Sequence, residues 1–571
     1  MKVSIDWLKD LVNLKVSLDE LIRLIPLRTI GLKEVTPDFL ELDMKGYNRA
    51  DLLSLRGVAY EVAAITDSQV KFEELGEDKL LWIEQTFPSL NVKVEDGKLA
   101  PVYCLVKISG LKVAPSEDTW VKKLADSGIR SVNNLADITN LVMIEYGQPL
   151  HAFDAKAVKD ETIVVRTAKK GERLTTLDGK TRDLTEEDLL ITDPQNALGI
   201  AGVMGGKDSE VSETTTTILL EAAIFNPTSI RRTATRQKLI SEASKRFYHG
   251  LTQKRLFQAL DAAIKMYQDL GGKLEGLTII GDTQDQVKTI KLTQEKINSL
   301  IGVDIPPVQV ESFLKKLGFH LEGVGSNSWQ ITLPYFRPDI NIEEDLIEEV
   351  ARMYGYEKIP SKELRGKLPK KIDQSLFDLI YDLKKALVDI GLTEVQTYSF
   401  YSTQVLSTLG WNEEDRKKHL VRIANPISSE TEFMRQNIWP NLIEVVAKNL
   451  KQGFDDIAIF ELGKMYCLNE KNHPEEGYSL AIALMNNSDS PVLELNQMLK
   501  SLNEQIKLKL TVDKDTSPQV SSHLFHPTRF YSLKLGEKRV GGMAEVHPKV
   551  LFNFGIDKRV AILQLDLKEL I

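Results

Sequence analysis

Long apolar runs are the first thing this chain lacks. No stretch of its 571 residues approaches the ~20 consecutive apolar residues that a helix needs to cross a bilayer, so no membrane-embedded segment is expected. Cysteine is nearly absent too. Cys104 and Cys467 lie far apart without CxxC or Cys/His spacing, which argues against a disulfide framework or a structural zinc site and makes both expected buried packing residues. The start, "MKVSIDWLKDLVNLKV", places Asp6, Lys9 and Asp10 where a secretory signal has its apolar core, and it lacks transit-peptide character; the expected compartment is the cytoplasm. There is no GxxxxGK[ST], no GxGxxG after a strand, no HExxH and no GxSxG, so the stock nucleotide, zinc and serine-hydrolase readings are set aside. Positive charge is in deficit: 73 Lys and Arg against 82 Asp and Glu give a net charge of −9, which weighs against binding nucleic acid through bulk electrostatics.

What is present is ordinary globular composition, 42% hydrophobic and 27% charged, in a chain long enough for roughly three to five domains. The first ~35 residues read as two amphipathic helices, one around Trp7, Leu8, Leu11 and Val12 and one through Leu18, Leu21, Ile22 and Ile25, the second ended by Pro26. "NRADLLSLRGVAYEVAAI" reads as a helix capped at Asn48 or Asp51. "VYCLVKISG" is an expected strand, and "RLTTLDGKTRDL" places a DG turn between two short strands. Lys291 to Ile359 holds helix, turn, helix, a short strand pair around Trp329 to Leu333 and a charged helix, a unit of winged-helix size followed by the linker "SKELRGKLPKK". The last block opens with the helix "SLFDLIYDLKKALVDIG" and continues into strands "IAIFELG", "YSLAIALMN", "YSLKLGEKRVGGMAEV" and "AILQLDL", an α+β sheet pattern. Two basic patches, "RRTATRQK" (Arg231 to Lys238) and "KELRGKLPKK" (Lys362 to Lys371), read first as solvated surface.

Three constellations carry candidate chemistry. In "NNLADITNLVMIEYGQPLHAFDA" the helical phrase buries Ile138, Leu141, Val142 and Ile144 or Tyr146, leaves Thr139 and Asn140 near its start and ends at Gly147, with His151 in the loop beyond. A loop histidine beside an acid is more often structural than catalytic. "LGIAGVMGG", Leu198 to Gly206, leaves backbone open either to a ligand or to tight packing, and in "ILLEAAIF" Glu221 stands inside an apolar run, so it is either paired or faces a polar pocket. In "RPDINIEEDLIEEVARMYGYEKIP" the residues Asp345, Glu348 and Glu349 share a helix face, with Ile342, Leu346 and Val350 on another. With Asp339 they suit Mg²⁺, or else form a solvated acidic face neutralised by Arg337 and Arg352.

Taken in order, "NNLADITNLVMIEYGQPLHAFD", "LGIAGVMGG", "SIRRTATRQKLISEASKRF", "RPDINIEEDLIEEVARMYGYEKIP", "ANPISSETEFMRQNIWPNLI" and "IFELGKMY" resemble phrases of the phenylalanyl-tRNA synthetase beta-subunit family, and the resemblance runs from Met1 to Ile571. It implies a multidomain α+β chain: a split N-terminal module (1–75), a mixed α/β editing module (100–275), a winged-helix-like unit (288–360) and a class II synthetase-like antiparallel sheet domain (372–571). The last lacks an FRxE-like motif 2 and a glycine-rich motif 3 ending in arginine and is expected to be structural. Members usually carry an OB-type tRNA-binding insertion where "GLKEVTPDFLELDM" joins the N-terminal halves directly, and a C-terminal anticodon-binding domain where this sequence reads "LDLKELI". The short form therefore departs twice from the family pattern. A third departure is "RFYHG", in which Tyr248 and His249 replace an acid and a base and leave any ion pair there in doubt.

The resemblance further implies a heterotetramer of two alpha and two beta subunits that charges tRNA-Phe, with ATP bound by alpha and Mg²⁺ at Asp339, Asp345, Glu348 and Glu349. It also implies editing of Tyr-tRNA-Phe by a pocket of Thr139, Asn140, His151, Ala201, Gly202, Glu221, Ser241 and Ala243. Glu221 is the expected partner of the tyrosine hydroxyl, Ala201 and Gly202 would let the ring approach, and His151, Thr139 and Asn140 would place water or the ester. The alternative is a standalone RNA-binding or trans-editing paralogue without an alpha partner.

Overall fold

Alternating burial along "VYCLVKIS" and "ILLEAAI" organises the part of the molecule that matters most here. Val102, Cys104, Val106 and Ile108 point to one side of their strand and Tyr103 and Leu105 to the other, because successive side chains of a strand face opposite ways. The computed structural model describes residues 1–73, 86–324, 327–363, 365–367, 372–514 and 523–570, and the basic stretch Lys362 to Lys371 lies partly outside them. The chain divides into two compact units, Met1–Leu364 and Arg365–Ile571.

In the first unit, Val102–Ser109 and Ile218–Ile224 are the central strands of a four-stranded antiparallel sheet flanked by Lys273–Gly281 and Leu150–Asp154. One face packs on helices Asn134–Tyr146 and Gln253–Asp269 through Leu135, Ile138, Val142, Leu256, Leu260 and Ile264. The other packs on a five-stranded sheet built from Val92–Val94, Ile163–Thr167, Leu189–Thr192, Ala197–Ile200 and Met204–Gly205.

N-terminal to this sandwich, "GLKEVTPDFLELDM" forms the hairpin Leu32–Val35 and Phe39–Leu42, and the latter strand also pairs with Lys2–Ser4. Helix Leu18–Arg28 runs two residues past Pro26 instead of stopping there: the proline sits in the last turn, and the Thr29 N–H still reaches the Ile25 carbonyl. The cap of helix Leu55–Thr66 is Ser54, whose hydroxyl accepts from the Gly57 N–H, not Asn48 or Asp51; Asp51 opens a short 3₁₀ turn, Asp51–Leu53, and Asn48 precedes it. At the other end of the unit, strands Thr289–Thr293, Ser328–Thr332 and His320–Gly323 close a three-stranded sheet under helices Gln294–Ile301, Pro307–Lys316 and Glu343–Tyr354. Leu346 and Val350 are buried on the last helix, but Ile342 caps it in solvent at 55% exposure.

The second unit is a seven-stranded sheet, antiparallel except where Thr393–Glu394 runs parallel to Ile457–Leu468. Leu480, Ile482 and Leu484 face helices Ser375–Asp389 and Pro491–Ile506, whereas Ala481, Ala483 and Met485 face helix Trp439–Lys451. Cys104 is buried as expected; Cys467 is exposed, because its strand continues past the packed part of the sheet. No described helix is long and apolar enough to cross a membrane.

Candidate functional site

Glu221 lies in mid-strand with its side chain on the sheet face that looks into the sandwich. Directly across the strand pair stands His151. The histidine is therefore in strand Leu150–Asp154 and not in a loop: after the Gly147 C-cap the chain turns at once into pairing with Ile218–Ile224. Opposed residues of an antiparallel pair share a face, so the register itself brings acid and imidazole to one surface.

Above them, "LGIAGVMGG" folds into two short strands, Ala197–Ile200 and Met204–Gly205, joined by a turn in which Gly202 has φ +65°. A Cβ on Gly205 would lie 2.7 Å from the His151 Cε1, and one on Gly206 2.6 Å from the Leu198 carbonyl oxygen, so backbone approaches the imidazole where no side chain fits. Gly202 meets the rings of Phe225 and Phe247 instead; its missing side chain admits protein packing. Between these layers is a cavity of ≈ 80 Å³ walled by Pro149, His151, Phe153, Met204, Ala243 and Phe247, with Glu221, Ala201 and Gly202 also on its lining.

The electrostatics follow from burial. Glu221 accepts one hydrogen bond, 2.7 Å from the Tyr103 hydroxyl to Oε2. Burial raises its carboxyl to about 7, opposed only by that bond. Burial alone lowers His151 to about 4, so the imidazole is neutral at physiological pH, and its Nε2 is buried without a hydrogen-bond partner among the described residues. Its ring meets Phe153 edge-on at 4.4 Å.

Of the expected pocket residues, His151, Ala201, Gly202, Glu221 and Ala243 come together. Thr139 and Asn140 do not line the cavity; both are half-buried on helix Asn134–Tyr146, and the Thr139 hydroxyl donates to the Ala136 carbonyl. Ser241 does not line it either. It caps helix Glu242–His249 and donates to the Val203 carbonyl, pinning the glycine turn. In "RFYHG" no acid is needed beyond the helix's own, since Arg246 pairs with Glu242. Tyr103, Phe153 and Phe247 belong to the site without having been singled out; alternation in "VYCLV" was the signal available for Tyr103, but nothing in it named a partner.

The acidic helix resolves differently from either reading of its sequence. Glu349 is buried and accepts from Arg337 and Arg352, Asp339 accepts from Arg337, and Arg352 reaches on to Glu61, which Arg49 links to Asp51. Asp345 caps its own helix by accepting the Asn341 and Ile342 N–H groups, and Glu348 is exposed. The arginine pairing holds, but it buries Glu349 while Glu348 stays in solvent. Among the described residues no three His, Cys, Asp or Glu side chains converge to hold a metal. With both Glu349 oxygens occupied by guanidinium groups, the four carboxylates do not fit one Mg²⁺ within this chain.

Three family models match: the B3/4 domain over residues 99–272, the tRNA synthetase B5 domain over 290–356 and the phenylalanyl tRNA synthetase beta chain CLM domain over 359–567. Phenylalanine–tRNA ligase beta subunits of Geobacter sulfurreducens, Moorella thermoacetica and Syntrophotalea carbinolica are 35%, 36% and 34% identical, over 92%, 94% and 95% of this chain and 66%, 67% and 68% of theirs. The chain belongs to the phenylalanine–tRNA ligase beta-subunit family. It spans about two thirds of the length of these relatives. An N-terminal fragment of the phenylalanyl-tRNA synthetase beta subunit from Pyrococcus horikoshii is 17% identical, covering 62% of this chain and 99% of the fragment at a TM-score of 0.35, too low to bear on the fold.

Proposed function

We propose that this chain serves as the beta subunit of a phenylalanine–tRNA ligase, and that its His151–Glu221 cavity hydrolyses tyrosine mischarged onto tRNA-Phe. The observation that carries the editing reading is Glu221: a buried carboxyl at an otherwise apolar wall, with Oε2 held by Tyr103 and Oε1 making no hydrogen bond among the described residues. Such an oxygen is matched to a phenol O–H. A hydrophobic synthetic site rejects an added hydroxyl only about a hundredfold, whereas a site built to hydrogen-bond that hydroxyl rejects the analogue lacking it by ~10⁴–10⁵. Glu221 supplies the second kind of discrimination.

At ≈ 80 Å³ the cavity is smaller than the ~150 Å³ void that holds benzene, so admitting a tyrosyl ring requires a wall to yield. Met204, half-buried and unbranched, is the side chain best able to do so. Neutral His151 presents Nε2 as an acceptor for a water proton, orienting the water oxygen toward the ester carbonyl. The water oxygen bonds to the carbonyl carbon, the carbonyl carbon–ribose oxygen bond breaks, and the proton lost by the water ends on the released ribose oxygen. Thr139 and Asn140, off the cavity wall, are given no role in this step; Ser241 acts by holding the turn that bears Val203.

Charging is assigned to an alpha partner that binds ATP and phenylalanine, since the sheet domain here lacks motifs 2 and 3. On the same reading the subunit works in a heterotetramer of two alpha and two beta chains with tRNA-Phe as substrate, a proposal that family membership supports. An assembled subunit is favoured over a standalone paralogue by helix Ser375–Asp389, whose outer face carries Phe377, Tyr381 and Val388 at 66%, 68% and 55% exposure. Glu221→Ala in the complex should slow Tyr-tRNA-Phe deacylation by roughly ten- to a hundredfold, the worth of a hydrogen bond to a charged group, and leave phenylalanine charging intact. Unchanged deacylation would sink the assignment.

A further inference from the structure

We infer that Tyr103 is a specificity-determining positioning residue: its phenol, donating to Oε2 of Glu221, fixes the carboxylate so that Oε1 meets the para-hydroxyl of the substrate. The inference rests on the editing reading above and concerns a residue outside the cavity lining. Tyr103 is fully buried, in the strand beside that of Glu221. The register pairs it with Ala223, and Glu221 with Leu105, so the Tyr103–Glu221 contact is a cross-strand diagonal, within reach of a long aromatic side chain. Ala223 opposite leaves the phenol ring room to lie toward Glu221.

Among the described residues no other group fixes that carboxylate. His151 lies directly across from it, but among the described residues its Nε2 makes no hydrogen bond and Tyr103 is the one donor to Glu221. A carboxylate has about four acceptor positions. Tyr103 takes one and sets the side-chain rotation, and a second phenol, that of the substrate, can be received on the other oxygen. Each element packed around Glu221 can be accounted for electrostatically. The neighbouring strands contribute Tyr103 and His151, the glycine turn contributes no titratable group, and helix Glu242–His249 presents Ala243 and Phe247 while its Glu242, Lys245 and Arg246 pair with one another. The Tyr103 bond also favours the charged carboxylate, working against burial.

The test is Tyr103→Phe in the ligase complex, which removes one oxygen and keeps the buried ring. Tyr-tRNA-Phe deacylation should show KM raised about tenfold or more with kcat little changed, and the pH profile, rising with ionisation of Glu221, should move to higher pH. A merely structural tyrosine would change neither the profile nor the KM-to-kcat split. Should the phenylalanine variant fold poorly, Tyr103→Met removes the donor at lower bulk and reads the same two quantities. In a Glu221→Ala background, which leaves no acceptor for the phenol, the Tyr103→Phe change should have no further effect, because it acts through that carboxylate. Loss of deacylation on Glu221→Gln with an unshifted profile in the Tyr103 variants overturns the role of Tyr103 alone. No effect of either substitution overturns the pocket assignment with it.

Discussion

Neutralising Glu221 should stabilise the protein, and more so as pH rises. Its carboxyl is lifted from an ordinary 4.5 to about 7 by burial, so between those values the folded chain binds a proton that the unfolded chain has released. Stability therefore falls as pH rises through that window. At 1.36 kcal/mol per pKa unit, the full cost is about 3 kcal/mol, reached above the folded value; at pH 5.5 it is about 1.4 kcal/mol, and near pH 4 it vanishes because both states are protonated. Glu221→Gln keeps the size and the acceptor for Tyr103 but carries no charge. The variant should match the wild type near pH 4 and exceed it by about 3 kcal/mol at pH 8. Denaturant midpoints for the two proteins across pH 4 to 8 measure the difference directly, with amide exchange in strand Ile218–Ile224 as a local readout. A gap that stays constant with pH, or a wild type more stable at pH 8, would refute the claim that an unpaired buried carboxylate is maintained there against stability. If the gap grows as expected, the site is one where function is kept at the expense of the fold.

Removing one member of the buried ion-pair cluster, as in Glu349→Ala or Arg352→Met, should cost ~3–5 kcal/mol by stranding its partners. Arg352 and Arg337 hold the Glu349 carboxyl below the ordinary range. Its contribution is thus present above the unfolded pKa and survives mild acid, to be lost only as pH falls through the depressed value; acid titrations of wild type and variant followed by circular dichroism check this. Gly205→Ala would drive a Cβ to 2.7 Å from the His151 ring, so Tyr-tRNA-Phe deacylation should drop while phenylalanine charging continues, and equal deacylation would show that the imidazole is not confined there. Placing charge on the exposed helix face, as in Tyr381→Glu, should weaken co-purification with the alpha subunit without lowering the thermal stability of the isolated chain; sedimentation of the mixture reads out the complex.

Much of the site's local structure was legible in the sequence. The end of the helix read from "DITNLVMIEYG" holds, with Gly147 in the left-handed region at φ +79°, but the helix begins earlier, at Asn134, where Asn133 accepts from two backbone N–H groups. Both are local requirements that particular residue types meet. Glu221 in an apolar run signalled either a partner or a pocket, and the fold supplies both. His151 was misread as a loop residue because "GQP" signals a turn and nothing nearby announces that the next five residues pair with a strand about 70 positions downstream. Arg49 and Asp51 in "NRAD" and Glu349 and Arg352 in "IEEVARMY" are buried, although charged, because arginines and carboxylates from segments up to 291 residues apart neutralise one another.

By itself, the sequence determined the elements and which face of each is apolar, since periods of 2 and 3.6 and the capping residues depend only on near neighbours. It also determined the family, through phrases recurring in order. Tertiary structure decided who meets whom. Tyr103 and Glu221 are 118 residues apart and touch only because Val102–Ser109 pairs with Ile218–Ile224 in one register. A slip of one residue would turn Glu221 to the other face of the sheet, away from Tyr103 and His151. That register depends on packing both sheet faces at once, a property of the whole sandwich that no local stretch encodes.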